Sequence, residues 1–192
     1  MSKRATCDTC HYPLKTCVCS AVHCVKNHAK IIILQDKNEL KNAKNTARLL
    51  ALGLSNIEII QNEDSEALQR LASLCLNEPS SIALIFPSRT SKPFENEKAN
   101  TTVKNFLFID ATWRKAKRIY LSNEFLQNIP SFHFGQELEG KYRIRKTSIE
   151  NGLSSLEAVA YVLAVSENTP VTPLYELFEK MQSFWPQPKA NS

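Results

Sequence analysis

The chain predicts an α/β fold: a mostly parallel sheet flanked by helices, with a small cysteine-rich knuckle in front of it. Three observations point there. Four short, largely apolar runs, Ile31–Leu34, Ile57–Ile60, Ile82–Phe86 and Phe106–Ile109, alternate with segments of helical period. Runs that are apolar on both faces suit parallel strands covered by helices on either side. Four of the six cysteines fall between Cys7 and Cys19, ahead of all of these strands. The expected division is a zinc-binding knuckle over residues 1–30 and a catalytic α/β domain over residues 31–192.

The bulk numbers agree. A chain of 192 residues buries a proper core as one ordinary domain. Its 43% apolar and 22% charged content is that of a globular protein, and no run approaches the ~20 apolar residues of a membrane span. Met1-Ser2-Lys3-Arg4 leads into cysteines rather than an apolar signal segment. The expectation is a cytoplasmic protein whose thiols stay reduced. None of the four glycines forms G-x-G-x-x-G or a phosphate loop, which argues against a Rossmann-type nucleotide site or an NTPase.

The elements follow in order. Cys7, Cys10, Cys17 and Cys19 have the spacing C-x2-C-x6-C-x-C, with Pro13 turning the chain between the pairs. Closely spaced thiolates on short turns supply the four converging soft ligands that zinc needs, and four of them close its shell, so the metal is expected to be structural. Two disulfides or a redox site fit poorly with a reducing cytoplasm. His11, His23, Cys24 and His28 lie nearby and are ordinary surface or packing residues on this reading. Ile31–Leu34 is a buried strand, and a helix is expected from about Asn38 to Leu52, stopped by Gly53. Asn45 and Thr46 are mildly unfavourable inside a helix, which hints at a polar contact with RNA or a cofactor; a solvent-facing pair explains them equally. Ile57–Ile60 is the next strand. Asp64 or Ser65 caps a helix to about Leu76, with Cys75 in the core. Ile82–Phe86 ends at Pro87-Ser88, and Arg89 to Thr102 reads as a mobile polar loop.

Phe106–Ile109 is the fourth strand, and Asp110 breaks it. On a helical wheel the segment after it puts Trp113, Ala116, Ile119 and Tyr120 on one face and Arg114, Lys115, Lys117 and Arg118 on the other. Ligands of open α/β sheets bind just beyond the carboxyl ends of strands, where Asp110, Thr112 and Trp113 fall. The plainer alternative is that Asp110 caps the helix and Trp113 anchors it. Ser131–Phe134 is a further strand with a structural His133. Gly135 and Gly140 lead to Lys141–Lys146, where alternation around Tyr142 and Ile144 suits a strand whose basic edge, Arg143 included, meets phosphates. Ser154 and Glu157 form a capping box opening a helix through Val165. Thr172-Pro173 opens a last helix to about Phe184, and the tail beyond Pro186 is expected to be disordered.

The net charge of +5 is uneven: residues 1–30 carry +4 and residues 101–150 carry +4. A polyanion such as RNA can bridge two such patches, although a solvated surface has the same look.

Asp110-Ala111-Thr112-Trp113 resembles the Asp-x-Thr-Trp signature of the DTW-domain family, whose members include tRNA-uridine aminocarboxypropyltransferases. These use S-adenosylmethionine to place a 3-amino-3-carboxypropyl group on N3 of a tRNA uridine. The resemblance extends from Cys7 to Ala158. The cysteine knuckle is similar to the family's. Leu34, Gln35, Glu39, Asn45, Thr46 and Leu49 match a Leu-Gln-His-Pro-x-Glu then Asn-Thr-x-x-Leu pattern. Asp36-Lys37 replaces the His-Pro pair, so no catalytic role is carried onto that segment. Ile85-Phe86-Pro87 resembles the family's apolar-aromatic-proline corner, and Arg145, Leu153, Ser154, Ser155, Glu157 and Ala158 match its Arg…Leu-Ser-Thr-x-Glu-Ala stretch.

The resemblance implies a SPOUT-like fold with a knotted pocket for S-adenosylmethionine. Its walls would be the loops after Phe86, after Ile109 and from Arg145 to Ser155. The implied cofactor residues are Phe86, Pro87, Ser88, Asp110, Thr112, Trp113, Arg145, Leu153, Ser154, Ser155 and Glu157. Asp110 is then either the base for uracil N3 or the grip on the cofactor's ammonium. Asn45, Arg114, Lys117, Arg118 and Arg143 are the expected contacts to tRNA. Two other functions stand beside this one: a SPOUT-like RNA methyltransferase, and a non-catalytic zinc-containing RNA-binding protein.

Overall fold

A computed structural model describes residues 5–40, 42–97, 102–136, 138, 140 and 153–186. Within them the strands are β1 (Lys30–Gln35), β2 (Ile57–Gln61), β3 (Ile82–Ile85), β4 (Lys92–Pro93), β5 (Asn105–Asp110) and β6 (Ser131–His133). All pair in parallel, in the order β2-β1-β5-β3-β6-β4. The most apolar runs, β1, β5 and β3, occupy the middle. Glu58 interrupts β2 on one outer side, and the two-residue β4 closes the other.

Side chains alternate along the central strands, so each strand feeds two cores. Ile31, Ile33, Ala83, Ile85, Phe106 and Phe108 turn to one face, together with α2 (Thr46–Gly53), α6 (Ser155–Glu167) and α7 (Thr172–Gln182). Ile32, Leu34, Ile82, Leu84 and Leu107 turn to the other, against α3 (Ser65–Asn77), α4 (Trp113–Ser122) and α5 (Glu124–Gln127). The expected α/β architecture is therefore present. Among the described residues no helix is long and apolar enough to cross a membrane.

The knuckle is continuous with the first of these cores. Cys10, Tyr12 and Val18 are buried in the same cluster as Leu49 and Leu177. The Tyr12 hydroxyl donates to the Asn45 carbonyl at 3.3 Å, and the Arg48 guanidinium lies 4.9 Å from the Tyr12 ring centre.

Several expected elements differ. The helix expected over 38–52 is two: α1 (Lys37–Leu40) and α2, with Asn45 not inside a helix but at the N-cap of α2, accepting the Arg48 N–H at 3.2 Å. The polar, unfavourable Asn is explained by that cap. Gly53 is the last residue of α2 rather than the stop after it, and a Cβ there would lie 2.8 Å from Leu174 Cδ2, so the glycine permits α7 to pack closely. The stretch read as a mobile loop contains β4 and a 3-10 turn at Phe94–Glu97. Phe94 is its anchor, buried edge-on between Phe106 and Phe132 with ring centres 5.8 and 6.1 Å away. The strand expected around Tyr142 and Ile144 lies outside the described residues, as does most of the third loop of the expected knot.

Candidate functional site

Register brings the polar ends of three apolar strands side by side. Gln35 is aligned with Asp110 of β5 and with Gln61 of β2. Asp110 is 8% exposed and Gln35 1%. Gln61 Nε2 donates to Gln35 Oε1 at 3.0 Å, and Gln35 Nε2 donates to Asp110 Oδ2 at 2.7 Å. From the opposite side, the Ser155 hydroxyl donates to Asp110 Oδ1 at 2.5 Å. Asp110 thus sits at the carboxyl end of a central strand, gripped on both oxygens by neutral donors.

Ser155 is there because α6 begins there. Ser154 accepts the Glu157 N–H at 3.3 Å, and the Glu157 carboxylate accepts the Ser154 N–H at 2.8 Å. This is the capping box expected from the sequence. It satisfies two amides of the first turn and leaves the next side chain, Ser155, turned to Asp110. The positive end of α6 adds to the field that holds the carboxylate. Asp110 does not cap α4: the N-cap is Thr112, whose side chain makes no capping bond.

One residue along from Gln35, Asp36 is also buried. Lys115 Nζ lies 2.7 Å from its Oδ1, and Asn38 donates to the same oxygen through its backbone N–H at 3.0 Å and its Nδ2 at 2.8 Å. Burial pushes the Asp36 carboxyl up, but the bonds from Lys115 and Asn38 outweigh it and hold the group below its ordinary range. The helical wheel put Lys115 with the exposed basic residues; it is instead half-buried, drawn in by this partner.

The wheel put Trp113 on the apolar face with Tyr120, and both meet Phe86, but Trp113 is not buried. It is 48% exposed, stacked on Phe86 with centroids 5.4 Å apart, while Tyr120 also meets Phe86 at 5.1 Å. Trp113 is the first residue of α4, and it meets the same Phe86 ring as Tyr120 with its outer part in solvent. An aromatic wall, Phe86 and Trp113, therefore stands at the ends of the neighbouring strands β3 and β5. Beyond it, the Ser88 hydroxyl meets that of Ser131 at 2.8 Å, and Ser91 meets His133 Nδ1 at 2.9 Å.

Of the other expected site residues, Thr112 is exposed and Leu153 half-buried, and Pro87 and Ser88 follow Phe86 at the end of β3. Arg114, Lys117 and Arg118 are exposed along α4. Asn45 is set apart from them: 3% exposed, it caps α2 and donates through Nδ2 to the Glu39 carbonyl at 2.8 Å. Arg143 and Arg145 lie outside the described residues. Gln35, Gln61 and Lys115 were not expected here. The available signal was a polar residue ending each apolar run, at Gln35, Gln61 and Asp110 alike.

At the knuckle, the four sulfurs of Cys7, Cys10, Cys17 and Cys19 lie within 4.8 Å of one another. Cys7 and Cys19 are 3.6 Å apart, and Cys10 and Cys17 3.7 Å. Tetrahedral zinc with Zn–S bonds of ~2.3 Å separates its sulfurs by about 3.8 Å, so the donor set fits that ion. His11, at φ 56°, makes the left-handed turn that closes the first pair. Backbone N–H groups of Cys10 and Thr9, and then the Cys19 thiol, lower the Cys7 thiol to about 6, whereas bonds to Cys17 and Cys7 push Cys19 up to about 12.

A family model described as the DTW domain matches residues 4–186. A Drosophila melanogaster protein named tRNA-uridine aminocarboxypropyltransferase 2 is 31% identical, over 92% of this chain and 74% of its own. Proteins of the same name from Macaca fascicularis and Mus musculus are 24% and 25% identical, each over 86% of this chain and 57% of theirs. No solved structure matches. With its Asp-x-Thr-Trp residues at the end of β5 and a match across nearly its whole length, the chain belongs to the DTW-domain family.

Proposed function

We propose that this protein transfers the 3-amino-3-carboxypropyl group of S-adenosylmethionine to N3 of a uridine in tRNA. The relatives' name supports the reaction, and the observation that carries it to this chain is the placement of Asp110. A buried carboxylate at the end of β5, held by Gln35 and Ser155, is followed by the exposed Trp113 ring stacked on Phe86 and by a basic helix face. S-adenosylmethionine supplies an electrophilic carbon on its sulfonium sulfur, and methylthioadenosine is what remains after transfer.

The residues present fit such a donor. Trp113, backed by the buried Phe86, offers a flat apolar face to an adenine or a uracil. The first turn of α4 offers N–H groups to a carboxylate, and Ser88, Thr112 and Ser155 offer hydroxyls. Asp110 takes the proton from uracil N3, whose electron pair then forms the new N–C bond. The carboxylate must be ionised to do this, and both donors on it favour the ionised form. The protein's remaining task is positioning, with the attacking atom ~3–3.5 Å from the chosen carbon. Arg114, Lys117 and Arg118 hold tRNA phosphates, joined by Arg143. Arg145, Leu153 and Glu157 complete the cofactor loop. Residues 31–192 form the catalytic unit. Residues 1–30 form the knuckle, in which zinc on the four cysteines braces the turn that packs on α2. A cytoplasmic setting keeps those thiols reduced.

The test is to incubate the purified protein with tRNA and S-adenosylmethionine, digest the RNA and weigh the nucleosides. A uridine heavier by an aminocarboxypropyl group, with methylthioadenosine released, is the expected result, and Asp110→Asn abolishes it while leaving the fold intact. A methyl increment would replace this reading by a methyltransferase. Unchanged nucleosides together with no cofactor binding would leave an RNA-binding protein.

A further inference from the structure

The row of polar side chains across the strand ends has a direction. An ionised carboxylate only accepts hydrogen bonds, so the Gln35 amide must turn its Nε2 toward Asp110. Its Oε1 then faces β2, where Gln61 Nε2 meets it. The consequence falls on Gln61, whose Oε1 is buried without a hydrogen-bond partner among the described residues. Turning both amides over would give that oxygen the Gln35 Nε2 as a donor. It would also press the Gln35 carbonyl against the Asp110 carboxylate. Buried acceptors rarely go unpaired, so the row is not arranged for its own satisfaction. Its polarity is the one that a charged Asp110 requires.

We infer that Gln35 is a positioning residue for Asp110, and that Gln61 orients Gln35: together they hold the Asp110 carboxylate ionised and fixed in rotation at the end of β5. The inference rests on the reading of Asp110 as the group that receives the uridine proton. Of the charged groups on the described elements around it, Arg114, Lys117 and Arg118 of α4 are exposed, and Lys30 of β1 pairs with Glu58 of β2. Asp36 is paired with Lys115 of α4, and Glu157 of α6 accepts the Ser154 N–H. Gln35 is thus the neutral donor from the sheet, opposite Ser155 from the helix.

Gln35→Met keeps the length and bulk of the side chain and removes the donor. Two readouts on the full-length protein are compared with wild type. The first is the titration of the Asp110 carboxyl by carbon NMR. Losing a donor to the charged form raises its midpoint by about one pH unit. The second is kcat on tRNA against pH, which falls about tenfold to a hundredfold with its acid limb moved the same way. Gln61→Met produces a smaller shift of the same sign, and is the variant to read if Gln35→Met does not fold. A carboxyl midpoint unchanged in a folded variant overturns the inference. So does a loss of kcat with the acid limb in place, which would mark a merely structural glutamine. Full turnover in Asp110→Asn is a different failure: it removes Asp110 from the chemistry, whereas the NMR midpoint still decides whether Gln35 holds its charge.

Discussion

Replacing Lys115 by Met isolates one interaction whose pH dependence can be worked out in advance. In the wild type the Asp36 side chain is 4% exposed and that of Lys115 27%, with 2.7 Å between Nζ and Oδ1. Removing one partner of a fully buried pair costs ~3–5 kcal/mol. Here Lys115 reaches water, and Asn38 keeps both its bonds to the carboxylate. The expected cost at neutral pH is therefore lower, about 2 kcal/mol, which in a chain of this size lowers Tm by roughly 4–8 °C.

The sign follows from linkage. Wild-type Asp36 lies below its ordinary 3.8, so the stability it contributes is present above about pH 4 and is lost as pH falls through the folded value. In the variant, burial is opposed by Asn38 alone and raises the carboxyl instead. The penalty then exists at neutral pH and disappears as acid protonates the group. The two Tm curves must converge from about pH 7 toward about pH 4, with Lys117→Met, on the exposed face, as a control that stays close to wild type throughout. A constant offset across that range would refute the reasoning. It would mean that the lysine stem's packing, and not its charge, was what the substitution removed.

Two other predictions concern the rest of the molecule. Native mass spectrometry of the purified protein shows one zinc per chain, and a chelator that strips it lowers Tm, because Cys10, Tyr12 and Val18 belong to the main core; metal-free protein with an unchanged Tm would contradict a structural zinc. Arg114→Gln, Lys117→Gln and Arg118→Gln together weaken tRNA binding and flatten its salt dependence by about one unit of slope per lost phosphate contact, measured by titration at several salt concentrations. An unchanged slope would place the tRNA elsewhere.

What the sequence disclosed, and what it withheld, divides by the range of the interaction that decides each feature. The central strands were legible because burial on both faces demands uninterrupted apolar residues, and Ile31–Leu34 and Phe106–Ile109 are such runs. The capping box was legible because Ser154 and Glu157 are three residues apart and complete it between themselves. Phe94 was missed for the complementary reason. Its partners Phe106 and Phe132 come from two other strands, and its own neighbours are polar. Lys115 shows the limit most sharply. Periodicity treats it like Lys117, and only an acid 79 positions earlier in the chain turns it inward.

The site combines both kinds of information. Asp110 announces itself by ending an apolar strand, a local break that can be read directly. Its environment is assembled from β1, β2 and the first turn of α6, through partners 75, 45 and, by way of Gln35, a further 26 positions apart. Parallel strands impose this, because each crossover separates neighbouring strand ends by a helix or more of chain. A motif therefore finds the charged group, while the residues that keep it charged lie on other strands and emerge only with the register. The departure of Asp36-Lys37 from the family's His-Pro pair falls under the same rule. Read along the chain it is a lost histidine, whereas in space it is a buried acid answered by Lys115, one residue from the glutamine that holds Asp110.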